Sequence, residues 1–292
     1  MALQLPPPPP PVVQALSGEL PPGLRARLDA LQKAQDWPGL ADLAESLPPA
    51  QRGLILETWL RALAKAGRHA RLLEVCKAAI PQLDGPRGPR LSTARIFHAQ
   101  ALSALGRSAE AREAHLENGV LGFPTGFANA CAEARNAQDW PALMACAQAW
   151  GKAHPEAPEP AAWQGEALAK QGRWGEAEPL LLATTQSLPQ RPMAWADLSA
   201  CRFQRGAFQE AWEAASQALT LEPKLLEALY NRGRAAYALQ RYAEGREDFR
   251  AALELAPAPE LAEQLRSSIA AADRFLAGRA RKAAPVRRGA AR

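Results

Sequence analysis

The stretch LEALYNRGRAAYALQRYAEGREDFRAALELAP, residues 226–257, decides the fold. It reads as a helix, a short turn, a second helix and a closing proline. Gly233 lets the two helices approach closely, and Tyr242 and Phe249 fill the space between them. Pro257 cannot continue the second helix, because it lacks an amide donor and clashes with the preceding turn.

Upstream, the same pattern returns at a step of 34 residues. Pro155, Pro189, Pro223 and Pro257 keep that step, as do Trp140, Trp174, Phe208 and Tyr242. So do Cys131, Gly165, Ser199 and Gly233, and likewise Leu143, Ala177, Ala211 and Gly245. A fixed period of this size is the signature of stacked repeats, in which neighbours bury one another's apolar faces. Four in-phase units cover 124–257.

The closing prolines, the small residues Gly165, Ser199 and Gly233, the aromatics Trp174, Phe208 and Tyr242, and the small residues Ala177, Ala211 and Gly245 resemble the tetratricopeptide repeat (TPR) family. That resemblance implies a right-handed α-solenoid whose first helices line an inner surface that binds extended peptides or a partner's helix.

The phase extends upstream through insertions. Gly67 and Gly106 take the place of the turn glycines Gly172 and Gly206, and Ala34-Gln35-Asp36-Trp37-Pro38 recurs as Ala137-Gln138-Asp139-Trp140-Pro141. The run Asp84 to Arg90 reads as an inserted loop. About seven helix-turn-helix units therefore fit between residues 21 and 259, the first three degenerate. Arg202 and Arg232 fall in columns that the family usually fills with apolar or aromatic residues.

Beyond Pro257 the stripe Leu261, Leu265, Ile269, Ala272 and Leu276 predicts one amphipathic capping helix over 260–278, ended by Gly278. Residues 1–20 read as a proline-rich arm and 279–292 as a basic tail. Six consecutive prolines, Pro6 to Pro11, favour a polyproline II segment. Such a segment is either an inert tail or a ligand for an aromatic groove, in another protein or in this one. The expected fold class is thus all-α: a right-handed solenoid of about seven units, with a C-terminal capping helix.

Composition agrees. Hydrophobic residues make up 48% and charged residues 22% of the chain, enough apolar surface to bury. The net charge of +5 is smaller than the six Arg and Lys residues of 279–292, so the rest is close to neutral. A uniformly basic nucleic-acid surface is not expected. Cys76, Cys131, Cys146 and Cys201 show no paired spacing and read as buried free thiols. The N-terminal residues lack the charged and apolar regions of a secretory signal, and no apolar run is long enough to span a bilayer. A cytoplasmic location is expected, and the Ala- and Arg-rich composition points to a GC-rich, bacterial genome.

Convergent chemistry is missing. His69, His98, His115 and His154 share no ligand spacing with one another or with cysteine. No HExxH, GxSxG or phosphate-loop pattern occurs. No catalytic residue, metal or cofactor is expected.

What the resemblance implies instead is a lined groove. One column reads Thr58, Phe97, Asn129, Trp163, Asp197 and Asn231; its neighbours are Arg61, Gln100, Arg135, Glu166, Phe203, Tyr230, Arg234 and Tyr237. Aromatic rings with interspersed Arg and Asn suit an extended or proline-containing segment. A subset of the resembled family grips chaperone carboxylates through Lys, Asn and Arg. Asn231 matches one part of that set, but Ala162, Ala196, Ala200 and Tyr230 supply neither the lysine nor the other asparagine, so that clamp is not expected. The leading expectation is a non-catalytic adaptor, scaffold or chaperone-like module that binds a protein or peptide. The alternatives are an accessory subunit of a separate enzyme, such as a transferase, and a nucleic-acid-associated protein acting through the basic tail.

Overall fold

A computed structural model describes residues 19–83, 88–123, 125–255 and 258–283. The polyproline run, Pro257 and residues 284–292 lie outside them. Sixteen α-helices and one 3₁₀ turn occur among the described residues, and no strand. The chain is all-α, as expected. The described residues divide into two compact units, the first ending at Ala153 and the second beginning at His154.

The first unit holds four hairpins. They are α1 (Pro22–Lys33) with α2 (Trp37–Ser46), α4 (Leu56–Lys65) with α5 (His69–Ala79), α6 (Pro89–Ala104) with α7 (Ser108–Val120), and α8 (Gly126–Asn136) with α9 (Trp140–Ala153). A short helix α3 (Pro49–Leu54) and the 3₁₀ turn Ile80–Gln82 are inserted between them. The second unit holds three hairpins and a final helix. They are α10 (Glu159–Lys170) with α11 (Trp174–Ser187), α12 (Pro192–Gln204) with α13 (Phe208–Leu221), α14 (Leu226–Ala238) with α15 (Tyr242–Leu255), and then α16 (Pro259–Ala283). The seven hairpins match the number of units read from the repeat.

Each hairpin turns through one residue in the left-handed region. Gly67, Gly106, Gly172 and Gly206 have φ of +72 to +80°. The same turn position in the other three hairpins is taken by Gln35, Gln138 and Gln240, at φ of 54 to 61°. The hydrogen bonding is shared. Arg173 N–H donates to Leu168 O at 2.9 Å after Gly172, and Arg241 N–H donates to Ala236 O at 2.8 Å after Gln240. This bond satisfies carbonyls that the helix end would leave orphaned. Glycine takes such a φ without steric cost, whereas a residue with a Cβ pays about 1 kcal/mol.

The small-residue columns do what their spacing predicts. A Cβ on Gly165 would lie 2.8 Å from Leu181, and one on Gly233 would lie 2.7 Å from the Phe249 ring. In the same column Ser199 donates its hydroxyl to Ala211 O at 2.7 Å. Arg202 and Arg232 are accounted for by acid partners. Arg232 grips both carboxylate oxygens of the buried Asp248, at 2.9 and 2.6 Å, and Arg202 lies between Glu178 and Glu210.

Helix α16 sits one period beyond α14. Gln264 donates to the Tyr230 hydroxyl at 2.8 Å, from a position 34 residues further on. In α14, Leu229, Gly233 and Ala236 are buried, the last two against α15. One period later the same positions are Glu263, Ser267 and Ala270, all exposed. The helix thus keeps the face that docks on the preceding hairpin, through Leu265 and Ala272, and lacks the face that would receive another. It also runs past Gly278 to Ala283, correcting the expected end. Gly278 is absent from the left-handed positions. A glycine inside a helix costs only about 1 kcal/mol relative to alanine, too little to stop one anchored by packing.

Candidate peptide-binding clefts

In the first unit, α4, α5 and α6 enclose a cleft of about 470 Å³. Of the predicted groove residues it unites Arg61, Phe97 and Gln100, beside Lys65 and His69. Phe97 is half-buried against the core of this unit, and Arg61 is spent on Glu57 at 2.9 Å. Thr58 on α4, and Asn129 and Arg135 on α8, are half-buried and do not line it.

In the second unit the predicted column turns inward. Trp163, Glu166, Asp197 and Asn231 are each at most 8% exposed. Trp163 packs beneath the guanidinium of Arg191, 4.7 Å from the ring centroid. Asn231 donates its amide to Ala196 O at 3.0 Å, tying α14 to α12. These four build the floor of the face rather than its surface, because each helix is flanked by another of the stack and the middle of the column is covered.

Asp197 is costly to bury. Its nearest cation is the Lys170 ammonium at 3.9 Å. Burial, with Glu166 and Glu227 adding repulsion, outweighs Lys170 and Arg191 and pushes its carboxyl up to about 7. A carboxylate taken from water without full pairing holds its proton instead.

The accessible part lies at the C-terminal end of the same unit. Phe203, Arg234 and Tyr237 line a cleft of about 380 Å³ with Phe249, Ser267, Ser268 and Ala271. The Arg234 guanidinium lies over two rings, 4.0 Å from Phe203 and 5.4 Å from Tyr230. Tyr237 meets Tyr242 edge-on, with centroids 4.9 Å apart. Of the predicted residues, Phe203, Arg234 and Tyr237 therefore converge, with Tyr230 beside them. The α16 serines were missed. Ser267 and Ser268 stand one period after Gly233 and Arg234, so carrying the 34-residue step past Pro257 would have found them.

Reactive groups are suppressed by burial. All four cysteines are buried, and burial pushes the thiols of Cys76 and Cys201 up to about 12. Burial also lowers His115 and His98 below the usual histidine range. Among the described residues no cluster of three His, Cys, Asp or Glu could hold a metal ion. No described helix is long and apolar enough to cross a membrane.

Residues 226–259, the unit ending in the α14–α15 hairpin, match the family model described as tetratricopeptide repeat. That hairpin is a tetratricopeptide repeat. The TPR architecture is similar to that of a tetratricopeptide repeat protein from Parabacteroides merdae, with a TM-score of 0.57, 11% identity, and coverage of 85% of this chain and 97% of that one. It is also similar to a chain of the APC/C hetero-tetramer Cut9–Hcn1, with a TM-score of 0.52, 13% identity, and coverage of 85% and 52%. YrrB, described as a TPR protein with an unusual peptide-binding site, matches with a TM-score of 0.47 and 17% identity over 67% of this chain and 99% of its own. At these identities the likeness is one of fold. No curated protein matches this chain in sequence.

Proposed function

We propose that this chain is a non-catalytic interaction module, acting in a reducing compartment such as the cytoplasm. On this reading the face lined by the first helices of the hairpins in its second unit binds an extended segment of a partner protein. The observation that carries it is Arg234, stacked on Phe203 and Tyr230 at the mouth of an aromatic cleft, with no carboxylate partner among the described residues. Rings supply contact area at low entropic cost, and a preformed scaffold spares the ordering of the binding surface. The guanidinium and the nearby hydroxyls set register by bonding to the backbone of the bound segment. The first-unit cleft around Phe97 is a secondary contact, since its Arg61 is already paired.

The test is affinity capture with the wild-type chain and with an Arg234→Ala/Tyr237→Ala variant shown by circular dichroism to be folded. Partners held by the wild type and lost by the variant, with cross-links from their peptides to α14 or α16, are the expected result. Partners retained equally by both chains would sink the reading.

A further inference from the structure

The cleft between Phe203 and Tyr237 is defined by what surrounds its arginine. Neighbouring arginines of the second unit are matched with carboxylates: Arg173 with Glu176, Arg232 with Asp248, and Arg246 with Asp273. Arg234 has neither a carboxylate nor a hydrogen-bond acceptor among the described residues; rings hold its plane, and its N–H edges stay open. The Tyr237 hydroxyl also has no partner among them, and Ser267 opens on the same cleft. Ser268 already donates to Gln264 O at 3.0 Å. No acidic side chain lines the cleft. It therefore offers donors above apolar rings and asks for acceptors on an apolar chain.

A run of prolines meets that demand. Every proline carries a carbonyl and no N–H. A polyproline II helix forms no internal hydrogen bonds, so its carbonyls all seek outside donors, and its rings pack on aromatic walls. The sequence holds such a run, Pro6 to Pro11, within the eighteen residues that precede the described structure, and those eighteen contain no charged side chain. An uncharged segment needs no carboxylate and no second cation, and the cleft presents neither.

We propose that the Pro6–Pro11 segment is a ligand of this cleft, with prolyl rings packed along Phe203 and Tyr237 and carbonyls accepting from Arg234, Tyr237 and Ser267. The inference rests on the reading of the cleft as a peptide site. It deepens that reading by assigning the site an occupant from the chain itself, which competes with any outside client.

The test uses the full-length chain with all six prolines replaced by serine, so that no resident arm competes. The probe is a fluorescein-labelled peptide of residues 1–18, followed by anisotropy. The expected result is saturable binding in the tens of micromolar. It should weaken about tenfold toward the unaltered chain, whose own arm competes, and about tenfold when Arg234→Gln is added to the serine chain. Ser267→Ala, an exposed change that leaves the packing intact, should weaken it about threefold and guards against a folding artefact. Absence of binding at about 1 mM peptide overturns the proposal, as does equal binding by the Arg234→Gln chain or equal binding of a peptide with serines for prolines. Tighter binding of an acidic peptide of the same length overturns it too, since the cleft would then be an anion site. If the proline peptide fails while client capture still depends on Arg234 and Tyr237, the arm assignment alone falls. If that dependence is lost as well, the peptide reading falls with it.

Discussion

The two units solve the same packing problem with different side chains. The first breaks the 34-residue step and fills its core with bulk: Trp59, Leu60, Leu63, Leu72 and Leu102 are almost wholly buried, and Arg52 lies 5.7 Å over the Trp59 ring. The second keeps the step and packs closely through Gly165, Ser199 and Gly233. A strict period demands that every hairpin approach its neighbour at one distance, which only small residues allow. Where the period slips, gaps of varied size are filled by large side chains, except between α7 and α8, where Gly119 and Gly126 let the backbones meet. Regularity and bulk are alternative ways to reach interior density.

The largest test of this contrast is Trp59→Ala, which should cost about 3–5 kcal/mol by leaving a cavity in the first unit. Unit-resolved hydrogen exchange should show faster opening across α4 and α5 and little change in α12–α15. Loss of protection throughout both units would mean that they do not differ as described. Next comes Gly233→Ala. Its Cβ would press on the Phe249 ring, and the expected loss is about 1–3 kcal/mol confined to the second unit. A neutral result in urea unfolding would show that the close approach is not enforced.

The units should also answer pH with opposite signs. His115 has its folded pKa lowered below 6.5 by burial, with Glu133 opposing. The unfolded chain then takes the proton first. Stability of the first unit is present above that value and falls as pH drops below it. Asp197 has its folded pKa raised from 3.8 to about 7, so the folded chain holds the proton longer. That contribution to the second unit is full below 3.8 and is lost as pH rises through about 7. Denaturant midpoints from pH 5 to 8 check this, with His115→Gln and Asp197→Asn each expected to flatten one slope. Slopes of the same sign in both units would contradict the assignment.

The smallest effect concerns the turns. Gln240→Gly should stabilise the second unit by about 0.5–1 kcal/mol by relieving the left-handed strain, while Gly206→Ala should cost a similar amount. A glycine at 240 that destabilises would show that the glutamine side chain compensates in some other way.

These turns mark how far the sequence could be read. Gly172 and Gly206 announce their conformation, because only glycine adopts it freely. Gln138 and Gln240 do not, although the recurring Ala-Gln-Asp-Trp-Pro word at 34–38 and 137–141 held the clue that Gln35 and Gln138 share a role. Periodicity gave the hairpins and the small-residue columns, since both follow from spacing along one chain. It could not give the burial of Trp163 or Asp197, which depends on side chains brought over them from neighbouring helices such as Arg191. The cleft was half legible for the same reason: its α14 wall lies in the regular repeat, whereas its α16 wall lies where the family prolines stop.

Helix α16 has a further consequence. A stack of like hairpins is a one-dimensional crystal, and any such crystal grows wherever its end resembles its interior. By putting the exposed Glu263 and Ser267 where the preceding period has the buried Leu229 and Gly233, the chain poisons its own growth face. The end of the stack is thus written into two positions. Restoring Leu and Gly there would turn a terminus into a seed.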